Sequence, residues 1–120
     1  MLSIGLANVD MWNVWWSDYG NTPEGFAAMK ARVDDAAAAQ GRDPATLAAT
    51  AAVYVQLPGG QGRTMGDYAG RAIEPVRGSV ADVAGHLRAM GERGAAHVQL
   101  VVDPITRTSL EWLADVVAAV

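Results

Sequence analysis

Three short, nearly unbroken apolar runs, Met11–Trp16, Ala51–Leu57 and His97–Val102, constrain this chain more than any other feature. Each is followed by a stretch with helical rather than alternating periodicity. A strand exposed on one face alternates apolar and polar residues; a continuous apolar run is the mark of a strand buried on both faces, as in parallel sheets. Parallel neighbours need a crossover, and a helix supplies it with a right-handed turn. The expected order is β-α-β-α-β-α.

The helical segments carry their own punctuation. Thr22-Pro23-Glu24 sets a capping hydroxyl before a first-turn proline and an acid, and Phe26, Met29, Val33, Ala36 and Ala37 recur at three- and four-residue steps. That helix is expected from Pro23 to Gln40, with Gly41 as its stop. Ser79 caps a second helix, whose apolar face is Val80, Val83, Ala84, Leu87 and Met90 and whose end is near Gly94. Leu110, Leu113, Val116, Val117 and Val120 mark a third, with Thr106 or Thr108 as its cap. Leu2–Val9 reads as the tail of a further helix. Between Pro58 and Gly78, six glycines and two prolines make a connection long enough to suggest a functional loop.

At 120 residues, one domain is expected over 1–120. A complete (β/α)8 barrel is excluded, because that fold takes roughly 250 residues. A net charge of −4 and scattered arginines argue against a nucleic-acid partner. The absence of cysteine rules out disulfides and thiolate metal sites. Met1–Asp10 has neither the basic start of a signal peptide nor the length of a membrane helix, so the expectation is a soluble, cytoplasmic protein that engages no membrane.

The phrases Asp10-Met11-Trp12-Asn13, Thr22-Pro23-Glu24, Gly41-Arg42-Asp43-Pro44, Gly78-Ser79 and Gly94-Ala95-Ala96-His97-Val98-Gln99-Leu100-Val101-Val102-Asp103-Pro104, in this order, resemble the C-terminal third of the luciferase-like monooxygenases. The resemblance spans essentially the whole chain. It implies a partial TIM barrel: the three strands correspond to the sixth, seventh and eighth of a (β/α)8 barrel, and Met1 falls within the helix after the fifth. It further implies a flavin- or deazaflavin-dependent oxidoreductase or monooxygenase, with FMN or the deazaflavin coenzyme and a small organic substrate at the C-terminal ends of the strands. Activity would then require self-association into a homo-oligomer or a chain supplying the missing strands.

On that frame the candidate cofactor contacts are Trp12, Asn13 and Arg107. The indole walls a ring, the amide offers donor and acceptor, and the guanidinium grips a phosphate or carboxylate. Trp15, Trp16, Tyr19 and Arg63 are candidate substrate contacts. No residue is singled out as catalytic, since a flavin carries the redox chemistry itself, and no metal site is expected. The plain alternatives are that the tryptophans fill the core and that Arg107, Arg63 and Arg71 are solvated. Asp103-Pro104 reads equally as a turn. Gly59-Gly60-Gln61-Gly62-Arg63 lacks the lysine and hydroxyl of a nucleotide loop and reads as a lid. His97 reads as a structural histidine, and His86 as a solvated helix residue.

Two other readings remain open on sequence alone. One is a non-catalytic, oligomeric interaction module derived from a partial barrel. The other is a rearranged α/β domain in which the Pro58–Gly78 segment adds a strand.

Overall fold

The structure, a computed structural model, describes residues 5–62 and 73–120. Its three strands are β1 (Met11–Val14), β2 (Ala48–Gln56) and β3 (Ala95–Asp103), and its helices are α1 (Trp16–Tyr19), α2 (Pro23–Ala38), α3 (Val80–Glu92) and α4 (Arg107–Ala118). A 3-10 turn, Pro44–Thr46, leads into β2. The sheet order is β1-β2-β3 with both pairings parallel. The chain is therefore mixed α/β with three parallel strands in sequence order, which removes the rearranged alternative. Val76 meets Val55 in one isolated bridge, and among the described residues the 58–78 segment contributes no strand.

Register sorts the side chains. Residues paired across parallel strands share a face, and successive residues alternate. Trp12, Val14, Ala49, Ala51, Val53, Val55, Val98, Leu100 and Val102 lie on one face; Met11, Asn13, Thr50, Ala52, Tyr54, Gln56, His97, Gln99, Val101 and Asp103 lie on the other. The first set is apolar and meets the helices: Trp12 stacks on Phe26 of α2 at 6.1 Å between ring centroids, and Phe26, Val83, Met90 and Val116 are buried with Val53 and Val55 in one cluster. The second set is mostly polar: Met11, Asn13, His97 and Gln99 on it are exposed, whereas Thr50, Ala52 and Tyr54 at its centre are buried, with Trp16 of α1 packed on Tyr54. The molecule measures 47 × 34 × 22 Å.

Boundaries moved where local signals were silent. The first strand ends at Val14 rather than Trp16, because Trp16–Tyr19 closes a helical turn that Gly20 terminates in the left-handed region at φ 76°. β2 starts three residues earlier than expected, since Ala48, Ala49 and Thr50 pair with β1 although they carry little strand propensity. β3 likewise extends to Ala95 and Asp103. The Pro23 helix stops at Ala38, with Thr22 accepting from the Gly25 amide at 3.1 Å. Ser79 and Asp82 form a reciprocal capping box on α3, and Thr106 rather than Thr108 caps α4. Of the expected Leu2–Val9 helix, residues 5–9 show one closing turn, Asn8 N to Gly5 O at 3.1 Å; the rest lies outside the described residues.

Candidate functional site

Parallel α/β sheets present ligands at the carboxyl ends of their strands, where loops from successive strands converge. Here that edge is organised by one carboxylate. Asp103 ends β3, and its Oδ2 accepts from the Tyr54 hydroxyl at 3.1 Å, the Gln56 Nε2 at 3.0 Å and the Gly62 amide at 2.8 Å. Its backbone oxygen accepts from the Leu57 amide at 2.9 Å. The start of the glycine-rich loop is thereby bent over the end of β3. Only glycine fits at position 60: a Cβ there would lie 2.6 Å from Gln56 Cγ and 2.8 Å from Asp103 O. Gln56 Oε1 in turn accepts from Arg77 Nε at 2.9 Å and Nη2 at 2.6 Å, and Arg77 pairs with Glu74 at 3.0 Å.

Two grooves flank this hub. One, of about 490 Å³, runs between Leu57, Pro58 and Pro104 on one side and Thr106, Ser109 and Trp112 of α4 on the other. The second, of about 390 Å³, is lined by Gln56, the Leu57–Gly60 turn, Arg77 and Gly78. Both fall in the size range of small-molecule clefts. A third, of about 360 Å³, lies at the outer edge of β1 and involves Trp12, Asn13, Asp18, Met29 and Arg32.

β2 runs past the end of β1, and its bare edge is finished by side chains. The Tyr19 hydroxyl donates to Ala52 O at 2.8 Å. The Asn21 amide accepts from Tyr54 N and donates to Tyr54 O, both at 2.9 Å, which reproduces the two hydrogen bonds a neighbouring strand would make. Val76 then adds N to Tyr54 O at 2.9 Å and accepts from Gln56 N at 3.0 Å. Asn21 sits at φ 58°, a left-handed position that asparagine tolerates better than most residues.

The predicted site residues separate accordingly. Trp12 and Asn13 do not converge: Trp12 faces the helices, with a buried Nε1 that has no partner among the described residues. Asn13 is on the open face, exposed rather than buried, and accepts from Thr50 Oγ1 at 2.9 Å. Trp15 is half-buried against Trp16 at 4.1 Å, while Trp16 is 3% exposed and packs on Tyr54 at 5.4 Å. Tyr19 is equally a core residue, and burial pushes its phenol above the ordinary tyrosine range. Arg107, with its side chain 92% exposed, pairs with Glu111 at 2.8 Å on the solvent side of α4. Arg63 and Arg71 lie outside the described residues, as does the greater part of the expected lid.

The histidines also differ from expectation. His97 is exposed on the open face, in the lateral row Asn13, Thr50, His97. His86 is half-buried rather than solvated. Its Nε2 has no hydrogen-bond partner among the described residues, and burial lowers its pKa against an opposing pull from Glu24.

Sequence reasoning missed the Tyr54, Gln56 and Asp103 cluster and the role of Asn21. The only local signals were a polar residue closing each apolar run and an asparagine after glycine. Among the described residues, no three metal-ligating side chains gather, and no helix is long and apolar enough to cross a membrane. No family model matches the chain, and no curated protein matches it.

Proposed function

We propose that the chain is the closing segment of a luciferase-like, flavin- or deazaflavin-dependent oxidoreductase, contributing three βα units and part of the cofactor mouth of a (β/α)8 barrel. The observation that carries the reading is the sidedness of the sheet. The three long helices α2, α3 and α4 form one layer on the sheet, while Asn13, Thr50, Tyr54, Gln56, His97, Gln99 and Asp103 lie on the other face, where Trp16 of α1 packs on Tyr54. In a barrel that second face is the interior, and its C-terminal rim is where ligands sit.

The residues present fit part of such a site. Asn13 offers an amide on the interior face, and Trp15 stands half-buried at the same strand end. Trp12 and Arg107 face elsewhere, so a coenzyme phosphate would be gripped mainly by residues from other strands. A bound flavin supplies hydride transfer or oxygen activation itself. This chain's share is to orient and to shield: the Asp103 hub fixes the Leu57–Gly62 turn at the rim, and Asn13 presents hydrogen bonds to a ring edge.

Fluorescence titration with FMN and with the deazaflavin coenzyme tests the reading, using this chain alone and mixed with a chain encoding five preceding βα units of such a barrel. Saturable binding in the mixture that weakens in Asn13→Ala is expected. Absence of binding in both arrangements sinks it. The second reading, a non-catalytic interaction module, draws on the exposed Leu110 and Val117 of α4.

A further inference from the structure

The groove between the Leu57–Pro58 corner and the opening turns of α4 stands apart from the face assigned to a cofactor. α4 belongs to the helix layer, so the groove lies on the helix side of the rim, whereas Asn13 and His97 are on the open face. Both of its walls are fixed. Leu57 N donates to Asp103 O at 2.9 Å and Gly60 N to Leu57 O at 3.0 Å, which ties one wall to the end of β3. On the other wall, Ser109 N donates to Thr106 Oγ1 and Leu110 N to Thr106 O, both at 3.1 Å, closing the first turn of α4. A cleft that exists before its ligand arrives spares part of the ordering that binding otherwise costs.

The lining combines apolar surface with donors and contains no ionisable side chain. Leu57, Pro58, Pro104 and the Trp112 indole supply the apolar surface, and Thr106, Thr108 and Ser109 supply hydroxyls. Arg107 turns away to Glu111, with its side chain 92% exposed. Ser109 is the most buried of the lining residues, at 5% exposure. It shares one hydrogen bond with Thr106, 2.7 Å between the hydroxyl oxygens, and either can be the donor. Two hydroxyls bring two protons, and that bond uses one. Neither hydroxyl has another acceptor among the described residues. One proton of the pair is therefore left for an acceptor from outside. The Trp112 Nε1–H is likewise without an acceptor among the described residues.

We propose that this groove binds an uncharged aromatic molecule bearing a carbonyl group, its ring against Trp112 and the prolines and its oxygen accepting from the Thr106–Ser109 pair. An acceptor is needed because a donor covered by a purely apolar ligand loses water and gains nothing. A neutral head is favoured over a carboxylate, because a charge taken from water with no cation in the lining is costly. An aromatic body suits Trp112, since ring–ring contact adds to simple burial of area. The volume of about 490 Å³ is that of a small-molecule site. The inference does not rest on the flavin reading, whose cofactor lies on the opposite face of the sheet.

Proton–nitrogen correlation NMR on the whole chain, titrated with 2-acetylnaphthalene, 2-naphthoate and 2-methylnaphthalene, tests the proposal. The ketone is expected to shift the Trp112 indole and the amides of Leu57, Thr108 and Ser109 saturably, leaving the indoles of Trp12, Trp15 and Trp16 in place. The naphthoate should bind at least about tenfold more weakly, and the methyl compound, which has the ring without the acceptor, about two- to tenfold more weakly. Thr108→Trp, at an exposed lining residue, should fill the groove and abolish the shifts. If that variant fails to fold, nuclear Overhauser contacts from the naphthyl protons to Trp112 and Pro104 in the wild type decide. No saturable shift, tighter binding of the naphthoate, equal binding of the methyl compound, shifts centred on Leu110 and Val117, a folded Thr108→Trp that still binds, or absent contacts to Trp112 and Pro104 would each overturn the inference.

Discussion

Asn21 shows how much one residue can carry when a strand outruns its neighbour. Its amide gives Tyr54 N its partner, and its backbone occupies a left-handed conformation after Gly20. Asn21→Ala leaves a buried donor unsatisfied, at about 1–3 kcal/mol, and sets an ordinary L-residue at positive φ, at about 1–2 kcal/mol. Urea unfolding should therefore show a loss on the order of 2–5 kcal/mol. Asn21→Gly should recover the conformational part only; equal losses for the two variants would mean that the strand-like pairing is the whole effect. Asp103 poses the matching question at the rim. With Asp103→Ala, the Gly62 amide loses its acceptor, so its hydrogen exchange should quicken while amides in the centre of β2 keep theirs. Unchanged exchange at Gly62 would remove Asp103 as the anchor of the turn.

At the scale of elements, the packing of α3 against the rest of the helix layer contains a half-buried histidine, His86, whose Nε2 has no hydrogen-bond partner among the described residues. Burial depresses the pKa of His86 below the ordinary 6.5, with Glu24 opposing the shift. The unfolded chain then binds the proton more readily than the folded one. The neutral histidine's contribution is thus fully present above about pH 6.5 and is lost as pH falls through the lower folded value. Urea midpoints should drop between pH 7.5 and pH 5, and His86→Gln should flatten that segment of the profile; an equal drop in the variant would assign it to other groups. These same elements show what was legible in the sequence. Continuous apolar runs and capped periodic segments exposed the order of strands and helices, because each signal is local. The α1 turn was hidden because Trp15 and Trp16 prolong an apolar run whose end is decided by Gly20. The Asp103 cluster was hidden because its bonds join residues up to 49 positions apart. The split of Trp12 from Asn13 follows from strand alternation alone, once register shows which face meets the helices.

For the molecule as a whole, layers and edges govern stability together. The sheet buries its core chiefly under α2, α3 and α4, and Leu110 and Val117 of α4 are among the apolar side chains left exposed. If copies of the chain associate, unfolding and dissociation are linked, and the melting temperature depends on concentration. With an unfolding entropy of about 2.1 cal/mol/K per residue, a dimer of this length loses roughly 0.5 kcal/mol/K at its midpoint. Tenfold dilution costs about 1.5 kcal/mol near 60 °C and should lower the midpoint by about 3 °C. Differential scanning calorimetry from 5 to 500 µM spans two such steps. A midpoint constant over that range places folding within a single copy and leaves the exposed Leu110 and Val117 as properties of a stable monomer. A slope near 3 °C per decade in the wild type, abolished by Leu110→Lys with Val117→Lys, assigns the missing stability to the exposed apolar side chains of α4.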